Sequence, residues 1–191
     1  LSPDELERYA RHIVMPEVGG PGQAKLINAK VLVIGAGGLG APVLLYLAAA
    51  GIGTIGICDN DVVGLSNLQR QIVHTTSRIG QLKTASAKAT LNALNPHPNI
   101  ITHAFRLDAS NALDVVSQYD LVPAGCDNFA TRFLVSDACY FAKKTLVSAA
   151  VGQFDGQIST FKPHETSPSG EPWPSYRCFI GDLPARGLFP A

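Results

Sequence analysis

The chain has 191 residues, with 15 Lys plus Arg balanced by 15 Asp plus Glu, 46% hydrophobic and 16% charged residues. That length suits one domain with a sizeable core, and that composition is typical of soluble globular proteins. Zero net charge gives no global attraction to nucleic acid or anionic membrane, and the longest apolar run, 41–50, is too short to span a bilayer.

At the start, Ser2-Pro3-Asp4-Glu5 combines an N-cap, a proline at the first helical position and a glutamate at N3, so a helix is expected to follow. Leu6, Tyr9, Ala10, Ile13 and Val14 recur at helical spacing as one apolar stripe, and Arg8 and Arg11 lie off it, where a solvated face is the plain reading. Residues 16–22 are turn-rich, and 23–29 suggest a short helix. Val31-Leu32-Val33-Ile34 is a β-branched run of the kind buried on both faces of a parallel sheet.

Gly35-Ala-Gly-Gly-Leu-Gly40 follows that strand and precedes a predicted helix over 41–50. In that setting Gly35 permits the tight turn, Gly37 lets a phosphate approach the backbone, and Gly40 lets helix and strand pack closely. The helix N-terminus adds free N–H groups and positive dipole. A second strand is predicted over 54–58. Asp59 at its end lies where a carboxylate accepts hydrogen bonds from ribose hydroxyls. Up to this point nicotinamide and adenine nucleotides are equally good ligands. Ser66-Asn67-Leu68-Gln69-Arg70 and Lys83 then separate them, because a bound pyrophosphate is served by backbone amides, whereas a reaction at a phosphate builds charge that fixed cations must stabilise. Arg70 can clamp phosphate oxygens with parallel bonds, and Lys83 can act as a point charge.

Lys83 stands near the start of a predicted helix over 82–94. Beyond it the pattern alternates: strand 100–104, helix 109–117, strand 119–122 ending at Pro123, helix 130–143, strand 145–150. Such alternation implies an α/β, doubly wound parallel sheet, in which ligands bind at the carboxyl ends of the strands. Gly35, Asp59 and Asp127 should therefore share one crevice. Asp127 facing a triphosphate would hold Mg²⁺, which is bound by one or two carboxylates plus phosphate oxygens; Asp127-Asn128 capping the following helix is the alternative, and both can hold. Cys126 has no histidine near it in sequence and is a poor nucleophile candidate. Asp155-Gly156 marks a hairpin within 153–162, so antiparallel strands are expected to join the sheet there. Residues 163–174, rich in Pro, Ser, Gly and Glu, should form a mobile surface loop. The four cysteines, Cys58, Cys126, Cys139 and Cys178, show no disulfide-like spacing and suit a reducing, cytoplasmic compartment, and the five histidines show no paired ligand spacing.

Taken in order, Arg8-Tyr9-Ala10-Arg11, Gly35 to Gly40, Asp59-Asn60-Asp61, Ser66 to Gln71, Gly80-Gln81-Leu82-Lys83, Asn95-Pro96 and Asp127-Asn128-Phe129-Ala130-Thr131-Arg132 closely resemble the ThiF/MoeB/HesA family. These are adenylyltransferases that activate ubiquitin-like sulfur carriers in molybdopterin and thiamine biosynthesis. The resemblance covers nearly the whole chain and is nearest the molybdopterin-synthase adenylyltransferases. It implies one ATP-binding adenylation domain over 1–191: an N-terminal helical segment (1–30), a Rossmann-like core (31–162) that is parallel at first and antiparallel later, and a loop-rich, incomplete C-terminal part (163–191). It implies nucleotide contacts at Gly35, Gly37, Gly38, Gly40, Asp59, Asp61, Ser66, Asn67, Arg70, Lys83, Asp127 and Asn128. Within that set Asp59 would bind ribose, Asn67, Arg70 and Lys83 the triphosphate, and Asp127 Mg²⁺ and the α-phosphate. Arg11 would reach the phosphates of a neighbouring subunit across a homodimer interface.

The reaction so implied is attack by the C-terminal Gly-Gly carboxylate of a carrier protein on the α-phosphate of ATP, giving an acyl-adenylate and pyrophosphate. Two departures from the family pattern stand out. Structural Zn²⁺ is commonly held there by two C-x-x-C pairs, but here the first pair reads Ser175-Tyr176-Arg177-Cys178, leaving Cys178 as its one thiol. Ala124-Gly125-Cys126 also replaces the acidic and threonine residues often found before Asp127. Two other classes remain open: an NAD-dependent oxidoreductase, which the glycine loop alone permits, and a non-catalytic carrier-binding member of the same fold. Activation of a carboxylate on modified tRNA is disfavoured by the neutral charge.

Overall fold

The predicted strands assemble into a single six-stranded sheet in a computed structural model that describes residues 1–181. Strands β1 (Lys30–Ile34), β2 (Thr54–Cys58), β3 (Asn99–His103), β4 (Leu121–Ala124), β5 (Thr145–Val151) and β6 (Gly156–Phe161) lie in the order β3-β2-β1-β4-β5-β6. Neighbours are parallel up to β5, and β6 pairs antiparallel to β5. This is the doubly wound architecture expected. Its topological switch point falls between β1 and β4, so a crevice opens beyond their carboxyl ends.

The helices are α1 (Pro3–Arg8), α2 (Ala10–Ile13), α3 (Gly19–Asn28), α4 (Gly40–Ala50), α5 (Lys83–Leu94), α6 (Ala112–Ser117), α7 (Phe129–Ala142) and α8 (Tyr176–Ile180). Alternation along β1 shows why they form two layers. Val31 and Val33 join Ile55 and Ile57 in a cluster with Leu44 and Ala48 of α4 and Ala87 and Leu91 of α5. Leu32 and Ile34 point the other way, into a cluster with Val115 and Val116 of α6 and Phe133 and Cys139 of α7. Burying both faces of the central strand removes alternate side chains from water on each side, which a continuous β-branched run permits.

Several boundaries differ from the sequence expectation for identifiable reasons. The capping box at Ser2 forms, yet the helix after it breaks at Tyr9. The Tyr9 side chain is drawn into the core, where its hydroxyl accepts a 2.8 Å hydrogen bond from Asn95 Nδ2. The rest of the expected stripe stays largely outside, with Leu6 and Val14 exposed. Within the turn-rich 16–22 stretch, α3 already begins at Gly19, with Pro21 in its first turn where the missing N–H costs nothing. Strand β4 runs through Pro123 rather than ending there. The β1–β4 ladder pairs Val31 with Leu121 and Ile34 with Ala124 and passes over the proline, which has no N–H to give. Helix α6 starts later than predicted, because Asp108 accepts from Ser110 and closes a turn before it. Among the described residues one antiparallel strand joins the sheet. The expected turn lies at 152–155, closed by Gly152 N–H on Asp155 C=O at 2.7 Å.

The 163–174 segment folds back on itself: Thr166 bridges to Pro172, and Trp173 N–H reaches Glu165 C=O. The part of the predicted C-terminal segment past residue 181 lies outside the described residues. The four cysteines are free thiols, three buried and Cys178 exposed. Among the described residues no helix is long and apolar enough to cross a membrane.

Candidate functional site

At the carboxyl ends of β1, β2 and β4 lies a cleft of about 750 Å³ lined by Gly35, Gly37 and Gly38, by Asp59 and Asp61, by Arg70 and Lys83, and by Asp127 and Asn128. The sheet topology thus brings together residues scattered over the chain. The glycine loop forms its floor. Gly35 has φ +92°, a left-handed conformation that side chains resist. At Gly40 any Cβ would sit 1.8 Å from the Gly35 carbonyl oxygen, so α4 packs directly against the loop only because this residue is glycine. Neither α4 nor α5 has a side-chain N-cap; Leu39 at the start of α4 lines the cleft, whereas the first N–H of α5, that of Lys83, is taken by the Asp61 carbonyl.

The Asp59 carboxylate is already built into this floor. Its Oδ2 accepts from the Ala36 N–H and its Oδ1 from the Asp61 N–H, each at 2.8 Å. Each oxygen retains a further lone pair for a hydroxyl. Asp61 in turn holds Lys83. The Lys83 Nζ lies 2.8 Å from Asp61 Oδ2, and the lysine side chain is 8% exposed against 63% for the aspartate. Residues 61–63 and 80–83 are also laced by backbone bonds, among them Lys83 N–H to Asp61 C=O at 2.9 Å. The ammonium is therefore held at the wall of the cleft by a partner exposed to solvent. Arg70 is exposed and donates to Ser66 C=O at 3.3 Å while its stem crosses Gly38, where an added Cβ would lie 3.5 Å from Arg70 Cδ.

On the opposite wall, Asp127 is exposed and its Oδ1 accepts from Asn128 Nδ2 at 3.2 Å. Asn128 is also the N-cap of α7, accepting from the Thr131 N–H at 2.9 Å. So the capping alternative holds for Asn128, and Asp127 remains turned to the cleft. Arg132 fixes this turn by donating from Nε to the Cys126 carbonyl at 2.8 Å, with its guanidinium over the Phe129 ring. Burial pushes the Cys126 thiol up to about 12, the neighbouring Arg132 opposing only in part, so it is no thiolate nucleophile near neutrality.

Four of the residues predicted for the nucleotide site stand apart from the cleft lining, and one of them, Gly40, is the glycine packed behind the loop against Gly35. Ser66 and Asn67 sit on the short 3₁₀ turn Leu65–Asn67, where Asn67 Oδ1 accepts from Gly64 N–H and shapes the loop that carries Arg70. Arg11 lies exposed on α2 and does not line the cleft of its own chain. Conversely, the cleft takes in Phe105, Arg106 and Leu107 from beyond β3, together with Gln71 and Thr131. The sequence held one usable signal for the first three: they follow a predicted strand at the same end of the sheet. Gln71 is 4% exposed, and its Oε1 has no hydrogen-bond partner among the described residues.

As to metals, Asp127 suits Mg²⁺, an ion bound by one or two carboxylates with phosphate oxygens supplying other positions. Zn²⁺ does not fit the described residues. Ser175 caps α8, accepting from the Cys178 N–H at 3.3 Å, and no three His, Cys, Asp or Glu side chains converge among the described residues.

Residues 9–191 match the ThiF family model. The chain is 50% identical over 191 residues to a probable adenylyltransferase/sulfurtransferase MoeZ of Mycobacterium tuberculosis (strain CDC 1551 / Oshkosh), covering 100% of this chain and 48% of that protein. It is 45% identical over 188 residues to a sulfur carrier protein adenylyltransferase of Thermus thermophilus, covering 98% of this chain and 69% of that one. Among solved structures, E. coli MccB with MccA-N7isoASN superposes at a TM-score of 0.76 with 28% identity, over 90% of this chain and 50% of that one. The chain thus spans about half the length of MoeZ.

Proposed function

The chain belongs to the ThiF family, and from that premise we propose that it adenylates the C-terminal Gly-Gly carboxylate of a ubiquitin-like sulfur-carrier protein with ATP, releasing pyrophosphate. The observation that carries this reading is one cleft in which a glycine floor and a ribose-type carboxylate share space with Arg70, Lys83 and Asp127. A dinucleotide site has no comparable need for two cations beside its pyrophosphate. The names of the MoeZ and Thermus thermophilus relatives support adenylation and a sulfur carrier as its object.

In this reading Asp59 receives the ribose hydroxyls, and the N–H groups of the glycine loop and the start of α4 receive phosphate oxygens. Arg70 clamps the phosphates, and Lys83, held in place by Asp61, turns its remaining N–H donors to them. The carrier's carboxylate oxygen attacks the α-phosphorus; the bond to the bridging oxygen breaks, and pyrophosphate leaves with the electron pair. No protein nucleophile is needed, so catalysis is positioning plus electrostatic stabilisation of the developing charge. Mg²⁺ bound at Asp127 would neutralise phosphate charge. Arg11, remote from its own cleft, serves a partner subunit's phosphates in a homodimer. The whole 1–191 chain is read as one adenylation domain working in the cytoplasm.

The test is ATP–pyrophosphate exchange by the full-length protein with candidate carriers ending in Gly-Gly. Carrier-dependent exchange is expected from the wild type, and Arg70→Ala should lose it by about 10²-fold or more. Tight NAD(H) binding without ATP binding would instead identify an oxidoreductase, and carrier binding without exchange a non-catalytic member.

A further inference from the structure

The histidines look structural from sequence, but His74 occupies a position that joins the two halves of the phosphate site. It is 5% exposed, and no residue of the mechanism above uses it. Its Nε2 lies 3.0 Å from the carbonyl oxygen of Ala36, inside the glycine loop, and its Nδ1 lies 3.0 Å from Oγ of Ser86. A carbonyl oxygen only accepts, so Nε2 carries the proton and donates. In the neutral ring Nδ1 is then the acceptor, and the Ser86 hydroxyl donates to it. Burial holds His74 below the usual histidine range, with Lys83 and Arg78 adding to that effect and the Ala36 bond and Asp59 opposing it.

What the ring connects is more telling than its burial. Ala36 is fully buried, and the two peptide groups that flank its Cα are each held: its N–H on Asp59, its C=O on His74. Ser86 lies one turn after Lys83 on α5, and its own carbonyl is fixed by Arg78 Nη1 at 2.9 Å. The imidazole therefore spans from the floor of the cradle to the helix that carries the phosphate-facing lysine. We propose that His74 is a positioning residue of the nucleotide site, tying the glycine loop to α5 so that the loop N–H groups and Lys83 keep one spacing. The proposal rests on reading the cleft as an ATP site, and it assigns to His74 a role in ATP affinity through Ala36 rather than by contact with the nucleotide.

Three proteins decide it: the wild type, His74→Phe, which keeps a flat ring but no polar atoms, and His74→Gln, whose amide can donate to the Ala36 carbonyl. Amide hydrogen exchange over residues 35–40 and calorimetric titration with ATP are measured on each. His74→Phe should speed exchange in the loop and weaken ATP binding by about tenfold. His74→Gln should restore both to within about threefold of the wild type, even where thermal stability stays lowered in both variants. Unchanged loop exchange in His74→Phe, or a His74→Gln no better than His74→Phe, overturns the clamp and leaves His74 as core packing. Should the wild type bind no ATP, the nucleotide reading falls, while the loop-exchange comparison still decides the clamp.

Discussion

The two walls of the cleft are built on opposite plans. On the wall made by β1, β2, α4 and α5, each functional group is tied to another before any ligand arrives: Asp59 to the Ala36 and Asp61 amides, Lys83 to Asp61, and Ala36 to His74. On the wall that follows β4, the backbone is fixed by Arg132 and Asn128, while the Asp127 carboxylate is exposed and has one neighbouring amide as its contact. A preorganised wall spends no free energy on reorganisation when charge develops. A carboxylate left open can instead take up an ion that comes with the substrate. The difference separates residues whose loss should damage fold and function together from those whose loss should damage function alone.

The largest expected effect tests that separation directly. Asp127→Ala removes an exposed group with no core contact, so the melting temperature should move by no more than about 2 °C. Carrier-dependent ATP–pyrophosphate exchange should nevertheless fall by about 10²–10³-fold, the scale of losing one preorganised charge-stabilising group. A variant that melts well below the wild type would show that Asp127 supports the fold, and the contrast between the walls would collapse.

How far the site could be read from the sequence follows the same division. Gly35, Gly40 and Asp59 were legible because their meaning lies in local spacing after a strand, and the left-handed φ of Gly35 is the physical reason glycine stands there. Asp127 was legible through topology, since a residue after β4 must reach the same crevice as one after β1. His74 was not, because its two partners are the backbone carbonyl of Ala36 and the hydroxyl of Ser86, and neither leaves a pattern at His74 itself. The break at Tyr9 was hidden for a related reason: helical spacing cannot show that one tyrosine finds Asn95 in the core while its neighbours on the stripe stay outside. Pro123 misled because proline ends most central strands, whereas here one ladder passes over it and the other, Pro123 against Val147, continues.

A middle-sized effect belongs to the tied wall. Asp59→Asn leaves one carbonyl oxygen where two carboxylate oxygens accepted from Ala36 and Asp61, so one amide loses its partner and the other a charged one. The expected cost is about 1–3 kcal/mol of stability. For a chain of this size that is a fall in melting temperature of about 2–12 °C, measured by calorimetry. ATP affinity should weaken in the same variant. Loss of affinity with an unchanged melting temperature would mean that the Asp59 bonds do not hold the loop, and the wall would be no more preorganised than the one opposite.

The smallest effect is a slope rather than a loss. His74 sits below its ordinary value of 6.5 in the folded protein, chiefly through burial, and His103, bonded to Tyr119, is lowered by the same cause. Below pH 6.5 the unfolded chain takes up protons that the folded chain refuses, so unfolding is favoured by proton uptake. Stability from these groups is therefore complete above about pH 6.5 and declines as pH falls toward their folded values. The difference in melting temperature between pH 7.5 and pH 5.5 should shrink by a few degrees in His74→Phe relative to the wild type, whatever the absolute stability of the variant. His103→Phe supplies the comparison from outside the cleft. If its slope changes and that of His74→Phe does not, His74 titrates alike in the folded and unfolded chains and burial under the glycine loop does not hold it neutral; a slope that changes in the opposite sense would mean a doubly protonated ring in the folded state, with Nδ1 donating to Ser86 instead of accepting from it.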